Sequence, residues 1–79
     1  MTLEERLRTV FTQALDLEPG CDPTALRYRN HPRWDSVGHM ALVVAMETEF
    51  DVELGPEQLI AVDSFDAAVK ILRDAGAHD

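Results

Sequence analysis

Apolar residues recur three and four positions apart at Leu3, Leu7, Val10, Phe11, Ala14 and Leu15, so residues 2–15 are predicted to form an amphipathic helix with one core-facing stripe. Thr2 and Glu5 are spaced as a capping box, and Glu4 and Arg8 as a pair on the wet side. A second helix is predicted over residues 36–50, and its pattern differs. At about 100° per residue, Leu42, Val43, Met46 and Phe50 form one stripe with His39 at its edge, while Val37, Met40, Ala41 and Val44 form another on a different side. One face is enough to build the core of a small bundle. The other is either covered, by the preceding loop or the third helix, or offered to a partner.

Between these helices Pro19, Gly20, Pro23 and Pro32 exclude any long helix, and Leu26 and Tyr28 are the residues placed to pin the segment to the core. A connection of this length without regular structure is unusual in a compact domain and tends to be functional. After Phe50, Gly55 and Pro56 open a short helical segment with proline at its first position. Asp63 or Ser64 then caps a last helix whose core stripe is Phe65, Ala68, Val69 and Leu72, with Asp66 and Lys70 as a pair and Gly76 as the stop. The tail Ala77-His78-Asp79 is expected to fray. The predicted fold is all-α: a four-helix bundle of three longer helices and one short one, with a long first loop.

Composition bounds this picture. The chain of 79 residues is expected to be one domain, 1–79, with a core small enough that surplus apolar surface is informative. No apolar run is long enough to span a bilayer and no charged-then-apolar leader is present, so a soluble, cytoplasmic monomer is expected. Cys21 is the only cysteine, which excludes an intrachain disulfide or a thiolate metal cluster, and it lies in a turn-rich stretch. The net charge of −8 is uneven: residues 40–79 hold two basic against nine acidic groups, whereas residues 1–39 hold five against six. Such an acidic surface repels nucleic acid and anionic membranes and suits partners with basic patches; it also serves solubility alone. No metal site is expected, since a calcium loop counted from Asp51 would need glycine sixth and finds Pro56 there.

Candidate chemistry gathers where the second helix begins. Asp35 is placed as its N-cap, so that its carboxylate accepts from the backbone N–H groups of Val37 or Gly38 and holds Ser36 in the first turn with its hydroxyl outward. A phosphate on that oxygen would lie beside unpaired N–H groups at the positive end of the helix. Arg27, Arg29, His31 and Arg33 precede it, either as a phosphate-binding feature or as balance for neighbouring carboxylates. No general base or nucleophile partner is spaced around Ser36 except His39, which its position assigns to the core edge.

With these residues in view, the whole chain resembles an acyl carrier protein. Asp35-Ser36-Val37 is similar to the family's Asp-Ser-Leu motif, with Val for the commoner Leu, and Trp34-Asp35-Ser36-Val37-Gly38-His39-Met40 is similar to free-standing carriers of bacterial specialised metabolism. The Glu49-Phe50-Asp51 end of the second helix and the acidic turn after it also match. The resemblance implies a non-enzymatic carrier of thioester-linked acyl groups on a 4′-phosphopantetheine arm, attached to Ser36 from coenzyme A by a phosphopantetheinyl transferase. It implies that Asp35 caps the helix and meets the transferase, and that Val37, Met40, Ala41, Val44 and Glu47 form the recognition surface of the second helix, with acyl-loading and acyl-processing enzymes among the partners. Leu42, Val43, Met46, Phe50, Leu59 and Ile60 would line the core that shelters short chains. Gly38 and Ala41 stand where fatty-acid carriers often have acidic residues, which favours a polyketide or related specialised pathway. An aminoacyl or peptidyl carrier shares fold and arm, and an unmodified helical interaction module is the reading from another class.

Overall fold

Each helix starts on a side chain or a proline suited to the task. In a computed structural model describing residues 1–78, α1 runs Leu3–Ala14, α2 Ser36–Phe50, α3 Pro56–Ala61 and α4 Phe65–Asp74, with a short 3-10 turn at Pro23–Ala25 in the first connection. Thr2 Oγ1 accepts from the Glu5 N–H (3.2 Å) and Glu5 returns a carboxylate oxygen to the Thr2 N–H (3.0 Å), the reciprocal box expected at that spacing. Asp35 caps α2, Pro56 opens α3 at its first position, and Ser64 caps α4 by accepting from the Ala67 N–H at 3.1 Å.

The three longer helices end alike. Asp16, Asp51 and Gly76 adopt positive φ (51°, 53° and 103°), and the next residue bonds back five positions: Leu17 to the Thr12 carbonyl, Val52 to Glu47 and Ala77 to Leu72. This closure returns an apolar residue to the core side of each helix end. Ala77 is thereby buried, so the tail is tied down as far as that residue; Asp79 lies outside the described residues.

The core is built on the expected stripes of α1, α2 and α4, and its centre is aromatic. Phe11 meets Trp34 edge to face at 5.2 Å and Phe65 at 5.3 Å between ring centroids. Trp34 is completely buried although it sits in the loop. The chain delivers it there through a tight closure in which the Arg29 N–H bonds the Trp34 carbonyl (2.9 Å) and the Trp34 N–H bonds that of His31 (3.0 Å). Farther back, Arg27 makes an isolated bridge with Ser64, and the Tyr28 N–H bonds the Asp63 carbonyl (2.9 Å), pinning the connection to the entry of α4.

Charged side chains choose tertiary partners over the local ones expected. Glu4 pairs with Arg73 (2.6 Å) and Arg8 with Asp22 (3.3 Å), not with each other. Asp22 also accepts from the Thr24 N–H and hydroxyl, which with Arg8 hold its carboxyl below the usual range against some desolvation. Arg6 lies over the Phe50 ring (4.6 Å) and bonds the Glu49 carboxylate (3.0 Å) and carbonyl (2.8 Å), joining α1 to the end of α2. Among the described residues Asp66 and Lys70 form no ion pair. No helix of the described residues is long and apolar enough to cross a membrane.

Candidate functional site

Ser36 is the first residue of α2, and its side chain is exposed. Asp35 stands before it in an extended conformation and accepts from the Gly38 N–H at 2.8 Å, the cap predicted from its position. Beyond Ser36 the helix divides. His39, Leu42, Val43, Met46 and Phe50 face inward. On the other side Val37 is 80% exposed, Met40 49% and Val44 57%, and Ala41 lies open between them. Neither the loop nor another helix covers this second stripe, so the choice left open by the periodicity resolves in favour of an uncovered face.

Glu47 differs from the other residues expected on this surface. It is half-buried, and its carboxylate accepts from the Leu54 N–H at 2.9 Å, so it organises the turn after α2 as well as edging the face. Gly38 has a packing reason: a Cβ there would overlap the Arg33 carbonyl oxygen, because the loop backbone lies directly on the first turn.

Behind Ser36 lies a polar link through the core. The Trp34 indole N–H donates to His39 Nδ1 (3.0 Å), and since an indole only donates, the ring carries its hydrogen on Nε2 and donates it to the Leu59 carbonyl (2.8 Å). Loop, α2 and α3 are joined through one imidazole. Both nitrogens are thus engaged, and His39 is not disposed to deprotonate Ser36. Tyr28 packs over the same ring, with centroids 5.0 Å apart, and its hydroxyl lies 3.4 Å from Ser36 Oγ.

Tyr28, Ser36, His39, Met40, Leu59, Ile60 and Val62 enclose an open, largely apolar cleft of about 290 Å³ between α2 and α3. Ile60 corrects the expectation drawn from the resemblance: it is 77% exposed at this rim, and Leu59 is only half-buried; α3 is short and none of its own residues is fully buried. Of the four basic loop residues, Arg33 alone forms an ion pair among the described residues, with Asp16 at 3.8 Å. Tyr28 is the site residue that periodicity missed. An aromatic side chain in a polar loop was the available signal, and it pointed only to the core.

No family model matches the chain. Its structure is similar to the solution structure of a holo acyl carrier protein from Geobacter metallireducens, with a TM-score of 0.76 and 18% sequence identity over 91% of this chain and 83% of that one. The fold is that of an acyl carrier protein. Within the acyl-carrier fold the exposed serine at the start of α2, the uncovered apolar stripe and the α2–α3 cleft adjoin one another.

Proposed function

We propose that this chain is a single-domain acyl carrier over residues 1–79, with Ser36 as the attachment point for 4′-phosphopantetheine. The observation that carries the reading is an exposed hydroxyl, fixed by the Asp35 cap and flanked by apolar residues that folding leaves uncovered. The similar fold of a holo acyl carrier protein supports it. The residues fit the group: Ser36 Oγ is open to a partner enzyme, and the adjoining cleft offers Met40, Leu59 and Val62 to the start of an apolar chain.

Attachment from coenzyme A joins Ser36 Oγ to the phosphorus of the phosphopantetheine half, breaks the pyrophosphate link to the nucleotide half and releases the serine proton. With both nitrogens of His39 engaged inside the chain, the base for that proton and the magnesium come from the phosphopantetheinyl transferase. Once attached, the arm supplies a thiol for thioester linkage of an acyl group. The chain itself presents, orients and is recognised. Asp35 holds the first turn and meets the transferase, and Val37, Met40, Ala41 and Val44, edged by Glu47, form the recognition surface of α2, read by the transferase and by acyl-loading and acyl-processing enzymes alike.

A polyketide or related specialised pathway fits better than housekeeping fatty-acid synthesis. The exposed surface near Ser36 carries Ala41 in place of an acidic residue, Gly38 being closed to any side chain by the loop packed on it, and Arg27 and Arg29 precede it in the loop without carboxylate partners among the described residues. A partner set shared with strongly acidic carriers would meet the wrong charge at this rim.

Intact mass tests the assignment. Incubation with coenzyme A, magnesium and a promiscuous transferase is expected to add one phosphopantetheine to the wild type and none to Ser36→Ala. The variant is expected to keep its unfolding free energy within about 0.5 kcal/mol, as for an exposed position with its cap intact. No gain in the wild type, with a control carrier modified in parallel, would replace this reading by an unmodified docking module.

A further inference from the structure

The aromatic residues around Ser36 differ in how the fold uses their polar atoms. The Trp34 indole N–H and both nitrogens of His39 are engaged in the interior. The Tyr28 ring is held against both of them, at 5.0 Å from His39 and 6.4 Å from Trp34 between centroids, yet its hydroxyl is turned outward to Ser36 Oγ. A tyrosine needed only for packing would serve as well without that oxygen. Arg29, the next residue, is fixed in the left-handed region at φ 67°, an uncommon conformation for a bulky side chain, and its N–H closes the loop onto the Trp34 carbonyl.

We propose that Tyr28 and Arg29 form a cradle for the phosphodiester that joins the arm to Ser36, orienting the arm as it leaves the protein; the proposal rests on the attachment reading above. Two bonds beyond Oγ stand anionic oxygens that accept and never donate. Tyr28 offers a hydroxyl donor 3.4 Å from Oγ, and the Arg29 guanidinium lies close enough to act on that same hydroxyl. In the unmodified protein either hydroxyl can donate; once Ser36 is esterified its hydroxyl hydrogen is gone, and Tyr28 is left as the one possible donor of the pair.

Loss of the Ser36 hydrogen has a spectroscopic consequence, because Tyr28 is the only tyrosine in the chain. In the unmodified protein the Ser36 hydrogen bond lowers the phenol below the usual tyrosine range; Arg29 lowers it further, while desolvation and the Asp35 charge oppose. The remaining neighbours are the engaged His39 ring and the indole of Trp34. Attachment removes the Ser36 donor and adds a negative charge, and both changes raise the pH at which Tyr28 ionises.

The test is an absorbance titration of the phenol in unmodified wild type, in wild type converted to the arm-bearing form and checked by mass, and in Ser36→Ala. Circular dichroism follows the fold at each pH. Ser36→Ala removes the donor without adding a charge, so the cradle predicts that the arm-bearing protein ionises above it by about one pH unit, with the gap narrowing near ~1 M salt. At neutral pH, Tyr28→Phe, which keeps the ring packing, is expected to shift the ³¹P resonance of the attached phosphodiester. Coincident titrations of the arm-bearing protein and Ser36→Ala, or an unmoved ³¹P resonance in Tyr28→Phe, would overturn the cradle while leaving attachment standing. No mass gain would overturn attachment and the cradle together.

Discussion

α2 and α4 begin in the same way, on a side chain that caps the third helical N–H, and both are rich in apolar residues. They part company at the surface. α4 buries Phe65, Ala68 and Leu72, half-buries Val69 and Ile71, and meets water with Asp66, Lys70, Arg73 and Asp74. α2 buries an equivalent stripe and then meets water with Val37, Met40, Ala41 and Val44. Folding covers every apolar residue of α4 at least in part, and leaves four of the nine in α2 exposed. Apolar residues gathered on one exposed face, beside a serine held outward, are not accounted for by the core; the proposed function assigns them to a partner.

The comparison can be broken most strongly with matched truncations on the two faces of α2. Leu42→Ala, at a fully buried site, is expected to cost about 2–5 kcal/mol in urea unfolding, and Val44→Ala less than about 0.5 kcal/mol. Similar losses at both would mean that the outer face is packed. His39→Phe keeps the ring and removes both hydrogen bonds, leaving the Trp34 N–H and the Leu59 carbonyl unpaired, with an expected cost of about 1–3 kcal/mol. Because that bond ties α3 to α2, faster hydrogen exchange should be confined to residues 56–62. Gly38→Ala sharpens the account of the first turn. Alanine favours helix by ~1 kcal/mol, yet overlap with the Arg33 carbonyl is expected to outweigh this and leave the variant less stable. A more stable variant would mean that the loop is not seated on α2.

What was legible in the sequence follows from how local each determinant is. The helices, the Thr2, Asp35 and Ser64 caps, and both stripes of α2 depend on neighbours within a turn or two, and they stand where periodicity and capping placed them. Gly76 announced its stop, whereas Asp16 and Asp51 take the same left-handed role without a distinctive signal. Trp34 reads as part of a polar loop until the Arg29 closure turns it into the core. The pairs Glu4–Arg73 and Arg8–Asp22 displaced the expected Glu4–Arg8 pair because long side chains at a bundle surface reach other elements. Ile60 was expected inside because the resemblance carried a core role over to it, and its exposure at the rim appears only once α3 is placed in the fold. At the site, the presentation of Ser36 was readable from Asp35, while the approach of Tyr28 from a separate segment was not.

The division of α2 into a folding face and a recognition face is tested most directly by Val44→Arg, with its urea midpoint and its initial rate of arm attachment by a promiscuous transferase measured on the same preparation. The expected result is a midpoint indistinguishable from wild type and a rate reduced about tenfold, equivalent to about 1.4 kcal/mol of lost recognition. A lowered midpoint would place Val44 in the core, and an unchanged rate with an unchanged midpoint would leave the outer face of α2 without the role assigned to it.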